Sequence, residues 1–346
     1  MNDKLTCSTL GCEVAIDGSC LEGHDPIQSC PHFGQPNPVN GPEPPEGSPD
    51  TLQEANPEIS KVRLPHGEPL SQLDVDAQQL QRAGRLVAIM GDTSSGKSTL
   101  LCSLYDRYLR GAFADRSFVA STTLGAFEKL AHLSRAVSGA RTPDTKRTYV
   151  SDGLQYYHLA LVGQENRARR VDLFLSDRAG ETYRSAMDHP DAFVALPELS
   201  VARVVTLLID GARLAQPEEL HEVLGTAGRM VRAMLDSCAL NDTQHLHLVV
   251  TKRDEVERSE NRSAIEAQVK SLVHRLRTNF GPRLATIQYF AISARDPKGE
   301  HEPADGCDAL LSAWIDAAEP RVRAVEQNEG PATEFDRLAT IERARA

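Results

Sequence analysis

The sequence predicts a three-layer α/β domain, its sheet mostly parallel with one antiparallel strand, preceded by a small cysteine-rich segment. Three observations carry this. From residue 84 onward, short apolar runs alternate with stretches of helical periodicity, the pattern of a sheet covered by helices. Four of the seven cysteines fall within the first thirty residues. Between these regions, residues 35–70 carry nine prolines and almost no periodic apolar pattern, which reads as an extended spacer.

In chain order, strands are expected near 84–90, 155–163, 169–176, 201–209, 245–250 and 284–293. The second and third form an antiparallel pair about Gln164, Glu165 and Asn166, and the rest run parallel. Helical stripes occur at Leu220, Val223, Leu224, Ala227, Met230, Val231, Met234 and Leu235, and at Ile265, Val269, Leu272, Val273, Leu276 and Phe280. Both are core faces. A last helix is expected over 309–318. The organisation is therefore a segment over 1–34, a linker over 35–70, the main domain over 71–325 with an insertion around 111–147, and a tail over 326–346.

A net charge of −11 argues against broad contact with nucleic acid or anionic membrane. The first residues lack an apolar signal core, and the longest greasy run, Val204 to Ile209, is too short for a membrane span. A cytoplasmic protein is expected.

The run Gly91, Asp92, Thr93, Ser94, Ser95, Gly96, Lys97, Ser98 fits G-x-x-x-x-G-K-S between a strand and a helix beginning near Thr99. Glycines at both ends let the backbone wrap an anion with its N–H groups pointing inward. Lys97 then reaches the outer phosphates, Ser98 offers a hydroxyl to Mg²⁺, and the helix dipole favours negative charge. Asp177-Arg178-Ala179-Gly180 ends a second strand and fits D-x-x-G. Asp177 is a second metal ligand there, and Gly180 can give an N–H to a γ-phosphate. Thr251-Lys252-Arg253-Asp254 fits T-K-x-D, whose aspartate can accept hydrogen bonds from guanine N1 and N2; adenine has no matching donor pair. Ser293-Ala294 closes the last strand, where a backbone N–H can meet the guanine carbonyl oxygen.

In this order the motifs resemble a translation-factor-related, Ras-like P-loop GTPase domain over roughly residues 80 to 325. The segments 121–128, 142–145 and 175–183 are similar to the bacterial double-GTPase type. The resemblance implies GTP or GDP as ligand with Mg²⁺, a protein effector or activator as partner, and a signalling role in bacterial conflict or defence.

Two features depart from the Ras-like pattern. The threonine that closes over Mg²⁺ must lie before the second strand, and several compete: Thr145 is the first choice, with Thr142 and Thr123 as alternatives. Where many such GTPases carry a water-orienting glutamine, this chain has Glu181. A carboxylate can accept from water but not donate to the phosphoryl group, and its charge opposes that of the phosphate oxygens. Lys97, Glu181 and Arg178, a positive charge available in cis, are the catalytic candidates. Arg178 has a competing reading as a partner of surface acids.

Cys7, Cys12, Cys20 and Cys30 are the candidate ligands of one structural Zn²⁺, with His24 or His32 able to replace one. The segment has too few large apolar residues for its own core, so a metal would supply the folding free energy. Free thiols in a tail are the competing reading. Cys102, Cys238 and Cys307 are expected as small buried apolar groups.

Two function classes follow: a GTP-hydrolysing switch, and a non-hydrolysing guanine-nucleotide scaffold that recruits partners. The T-K-x-D segment argues against a third, an ATPase.

Overall fold

A computed structural model of the protein describes residues 25–34, 67–132, 148–164, 170–189, 191–295 and 301–317. The chain divides into two units, 1–62 and 63–346. Of the first, residues 25–34 contain a single 3₁₀ turn, Ile27–Ser29, followed by buried Cys30. Cys7, Cys12, Cys20 and His24 lie outside the described residues.

In the second unit the described strands are β1 (Arg85–Gly91), β2 (Arg116–Ala120), β3 (Gln155–Gly163), β4 (Arg170–Asp177), β5 (Val204–Asp210), β6 (His245–Thr251) and β7 (Thr286–Ala291). They form one sheet in the order β2-β3-β4-β1-β5-β6-β7. β3 is antiparallel to both neighbours, and the pairs from β4 through β7 are parallel. β3 is thus the single reversed strand, as expected. β2 was not expected: it lies inside the predicted insertion. Its five residues are half-buried or exposed at a sheet edge, so neither length nor alternation marks it in the sequence.

The larger helices are α1 (Gln72–Gln81), α2 (Lys97–Leu109), α3 (Leu124–His132), α4 (Gly180–Asp188), α5 (Pro217–Asp236), α6 (Arg253–Arg258), α7 (Arg262–Phe280) and α8 (Cys307–Asp316). Short helical turns lie at Asp191–Val194, Pro197–Val201 and Gly211–Leu214. Central strands feed both faces through their two-residue period. In β1, Leu86, Ala88 and Met90 join the core under α5 and α7, whereas Val87 and Ile89 join the one under α2, α3 and α8. α5 starts with Pro217 at its first turn and buries the predicted stripe from Leu220 to Leu235, as α7 does from Ile265 to Leu276. Cys102 and Cys307 are buried, but Cys238 is exposed, just past the end of α5 with φ 58°. The chain turns there in a left-handed conformation outside the core.

The stretch read as linker ends earlier than residue 70. Leu70 exchanges two backbone bonds with Tyr156 on β3, each 2.9 Å, and Ala126 donates to the carbonyl of Gly67. α1 follows with a capping box between Ser71 and Asp74. Apolar Leu70 and Val75 in the first core explain why this proline-flanked segment is held.

Two buried histidines bear on pH. Burial, with nearby His245, lowers the His247 pKa to about 3. Burial also holds His158 below its ordinary value, against the pull of Asp172. Both are neutral in the native state at pH 7. Between pH 6.5 and 3 the unfolded chain takes up a proton that native His247 refuses. The contribution of His247 is therefore full above 6.5 and is lost progressively as the pH falls below it, with His158 acting in the same direction. Melting temperatures recorded from pH 7.5 to 5 should drop, and a flat profile would contradict this.

Candidate nucleotide site

The predicted site residues come from the carboxyl ends of neighbouring strands. β1 ends at Gly91, β4 at Asp177, β5 at Asp210 and β6 at Thr251. Ser293 and Ala294 follow β7. These four strands and β7 run the same way, so their ends share one edge. At about 4.8 Å per strand, β4 to β6 spans roughly 14 Å, the reach of a nucleotide from phosphate to base. A doubly wound sheet offers its crevice at this edge. β1 and β4 pair from Arg85 and Leu173 only as far as Val87 and Leu175. Beyond that the Ser176 hydroxyl accepts from the N–H of Ile89 at 2.9 Å, and the strand ends part.

Gly91 to Ser98 form the cradle before and into α2. Gly96 takes φ 93° and Ser94 φ 61°, left-handed positions that curl the backbone ahead of the helix. The Thr251 hydroxyl donates to the carbonyl of Ser95 at 2.9 Å, tying the cradle to the end of β6. Lys97 is buried, its ammonium 3.0 Å from the carbonyls of both Gly91 and Asp92. Thr99 lies in the first turn of α2. Gly180 abuts the cradle: a Cβ there would stand 2.5 Å from the Asp92 carbonyl carbon and the Thr93 nitrogen. Only glycine permits that approach. Asp92 is also gripped by Arg184 at 3.3 Å and Arg213 at 3.2 Å.

The hydroxyls of Ser98 and Thr148 are 2.9 Å apart. Thr148 donates to Asp177 Oδ2 at 2.7 Å, and Ser98 lies 3.4 Å from the same oxygen. Asp177 is 1% exposed, and its Oδ1 has no hydrogen-bond partner. Burial pushes its pKa up, opposed by the Thr148 hydroxyl, the Lys97 charge and the Ser98 hydroxyl. A buried carboxylate with an orphaned oxygen beside two hydroxyls is a hard, all-oxygen donor set, which fits Mg²⁺. A cavity of about 300 Å³ opens on Asp177 and Thr148, with Lys129, Asp152 and Tyr157 along its wall.

Thr148, which is not one of the three competing threonines, is the one whose hydroxyl meets Asp177 among the described residues. Thr145 and Thr142 lie outside the described residues. Thr123 is fully buried, and its hydroxyl accepts from the N–H of His158 at 2.9 Å, which anchors the start of α3. Thr148 lies seven residues ahead of β3, before the 3₁₀ turn Val150–Asp152, and β3 then pairs Gln155 with Asp177.

At the other end, Asp254 is 2% exposed. It accepts from the Ser293 hydroxyl at 2.8 Å and pairs with Arg258 at 3.0 Å, so its carboxylate is held in one orientation. Lys252 takes φ 48°, and its ammonium lies 2.8 Å from Asp210. Asp210, Arg258 and Thr148, which hold Lys252, Asp254 and Asp177, are the contacts of the candidate residues that sequence reasoning passed over.

Glu181 is half-buried in the first turn of α4. Arg178 is turned to Glu198, its Nε at 2.6 Å and its second terminal nitrogen at 3.1 Å from the two carboxylate oxygens. Glu198 is fully buried and also accepts from the Tyr183 hydroxyl. The sequence carries no mark of this partner, twenty residues downstream. Among the described residues no group of three or more His, Cys, Asp or Glu is arranged to hold a metal ion, and no helix is long and apolar enough to cross a membrane.

A family model described as Double-GTPase 2 matches residues 85–315. No curated protein matches the chain. Among solved structures, the chain is similar to the GTP-bound S. cerevisiae Ski7 GTPase-like domain, with 15% identity, a TM-score of 0.39, and coverage of 73% of this chain but 52% of that one. The GDP- and phosphate-bound form of that domain gives 14% identity, a TM-score of 0.40 and the same coverage. The signal recognition particle receptor SRb-GTP/SRX complex from Chaetomium thermophilum gives 13% identity and a TM-score of 0.36, covering 66% of this chain and 96% of that one. This chain thus spans about half the length of the Ski7 chain.

Proposed function

The chain belongs to the Double-GTPase 2 family, and from that premise we propose that it is a Mg²⁺-dependent, guanine-specific switch that binds and hydrolyses GTP. The observation that carries the reading is the convergence of Lys97, Asp177, Thr148 and Asp254 on one sheet edge, with a buried carboxylate oxygen left for a cation. Lys97 and the cradle N–H groups hold the outer phosphates and offset their charge. Ser98, Asp177 and Thr148 would hold Mg²⁺, which when bound neutralises charge developing on the phosphate oxygens. Asp254, Ser293 and Ala294 read the base. Gly180, packed against the cradle, can offer its N–H to a γ-phosphate and so draw α4 into register.

Glu181 can accept a hydrogen bond from the attacking water but cannot donate one, so turnover is slow without a protein activator. Arg178 serves in this reading as an anchor, because both edges of its guanidinium face Glu198. The order of an adaptor over 1–34, a spacer and a switch domain reaching 325 is kept, with the start of the switch domain moved from residue 71 to 67. A protein effector, a cytoplasmic setting and a role in bacterial conflict or defence signalling rest on the family resemblance. A Zn²⁺ held by Cys7, Cys12, Cys20 and Cys30 belongs to the adaptor. Elemental analysis of protein purified without added metal should find one zinc per chain, and none would reject that site.

Single-turnover hydrolysis of radiolabelled GTP and ATP tests the main reading. Product from GTP and little from ATP is expected. Tight GTP binding with no product would favour the non-hydrolysing scaffold, for which Glu181 is the specific ground. Thr148→Ala should raise the Mg²⁺ concentration for half-maximal hydrolysis about 10-fold or more, since it removes a hydroxyl bonded to the metal's carboxylate. An unchanged Mg²⁺ dependence would remove Thr148 from the site.

A further inference from the structure

The third position of the T-K-x-D segment, Arg253, is enclosed in a ring of contacts that the guanine reading does not use. Its backbone N–H donates to the carbonyl of Ile292 at 2.9 Å. Its guanidinium pairs with Asp305, and its Nε lies 3.1 Å from Glu257. Asp305 faces the base-reading segment through its backbone: its carbonyl accepts from the N–H of Ser293 at 2.9 Å. The preceding residue, Ala304, donates to the carbonyl of Ala294 at 3.0 Å. Ser293 in turn donates its hydroxyl to Asp254, the residue next to Arg253. The ring Arg253, Asp305, Ser293, Asp254 is therefore closed by side-chain and backbone bonds alternately.

Two features stiffen it. His301 lies between the two carboxylates, Nδ1 2.9 Å from Asp305 and Nε2 2.9 Å from Glu257. Gly306 takes φ 75°, and a Cβ there would stand 2.6 Å from the carbonyl of Ala291, so the segment turns back tightly against β7. The ion pairs are partly exposed, and pairs of that kind add little to global stability. Their effect is geometric. A recognition group is useful only when its supporting contacts hold it within about half an ångström of the productive position, and both base-reading segments depend on this ring.

We propose that Arg253 and Asp305, closed by His301, form a latch that positions Asp254 against Ser293 and Ala294 and so sets selectivity for guanine. Arg253 and Asp305 are positioning residues. They act through Ser293, Ala294 and Asp254, not on the nucleotide. The proposal rests on the guanine-specific reading given above.

The test is calorimetric titration of the full chain with GDP and with ADP, each with Mg²⁺, for the unmodified protein, Arg253→Ala and Asp305→Asn. In both variants GDP affinity should fall at least tenfold while ADP affinity holds, narrowing the GDP-to-ADP ratio. The double variant should lose no more than the larger single loss, because the residues act as one contact. Equal affinities for GDP and ADP in the unmodified protein would reject the guanine reading and the latch with it. A discriminating parent with unchanged ratios in the variants would reject the latch alone. Parallel loss of both nucleotides would also reject it, as the mark of a merely structural pair. Should Arg253→Ala fail to fold, the isosteric Asp305→Asn, which keeps the backbone bond to Ser293, decides by itself.

Discussion

Lys97→Ala is expected to lower single-turnover GTP hydrolysis by at least about 10²-fold, the scale for removing one preorganised charge-stabilising donor. Two losses combine. The ammonium no longer faces the outer phosphates, and the bonds to the Gly91 and Asp92 carbonyls that hold the cradle closed are gone. Ser98→Ala should act differently. It leaves the ammonium in place and removes a hydroxyl from the Thr148 and Asp177 cluster, so GTP affinity should weaken chiefly through lost Mg²⁺ dependence. Titrating Mg²⁺ against nucleotide binding separates the two. If both variants kept normal Mg²⁺-dependent GTP binding, the phosphate cradle would be misassigned.

Asp254→Asn is expected to cost about 10³-fold or more in guanine nucleotide affinity and to shift preference toward xanthine nucleotides. A site built to accept from two base donors rejects a ligand that leaves its polar groups unpaired. Asparagine still accepts from the Ser293 hydroxyl, but it presents an amide where guanine also presents donors; xanthine carries an oxygen there instead. The melting temperature should fall too, because Arg258 loses its buried carboxylate. Calorimetry with GDP and xanthosine diphosphate measures the switch. Equal affinity of the unmodified protein for ATP and GTP would overturn the assignment.

The fold was largely legible because its signals are local. β1, β4, β5 and β6 are largely apolar runs, β1, β4 and β6 each ending in a motif residue, and α5 and α7 bury the stripes that their periodicity marked. β2 was not legible. An edge strand of five half-exposed residues is defined by its partner β3, not by its own pattern. Cys238 and the 67–70 segment were misread for a related reason. Cysteine suggests burial and proline suggests a spacer, whereas a left-handed turn at one and a pairing with Tyr156 at the other decide where these residues sit.

At the candidate site, the sequence by itself marked the cradle, the D-x-x-G aspartate Asp177, the T-K-x-D aspartate Asp254 and the Glu181 departure. Each belongs to a short run whose spacing encodes its backbone geometry. Only the tertiary structure showed that Thr148 meets Asp177, a contact across 29 residues that no local pattern announces. It likewise turned Arg178 toward Glu198, gave Lys252 to Asp210, and closed Arg253 and Asp305 into a ring with Ser293 and Asp254. Those contacts join side chains 20 to 52 residues apart. Such pairs are formed by strand order and helix packing, and no local pattern of residue types records them.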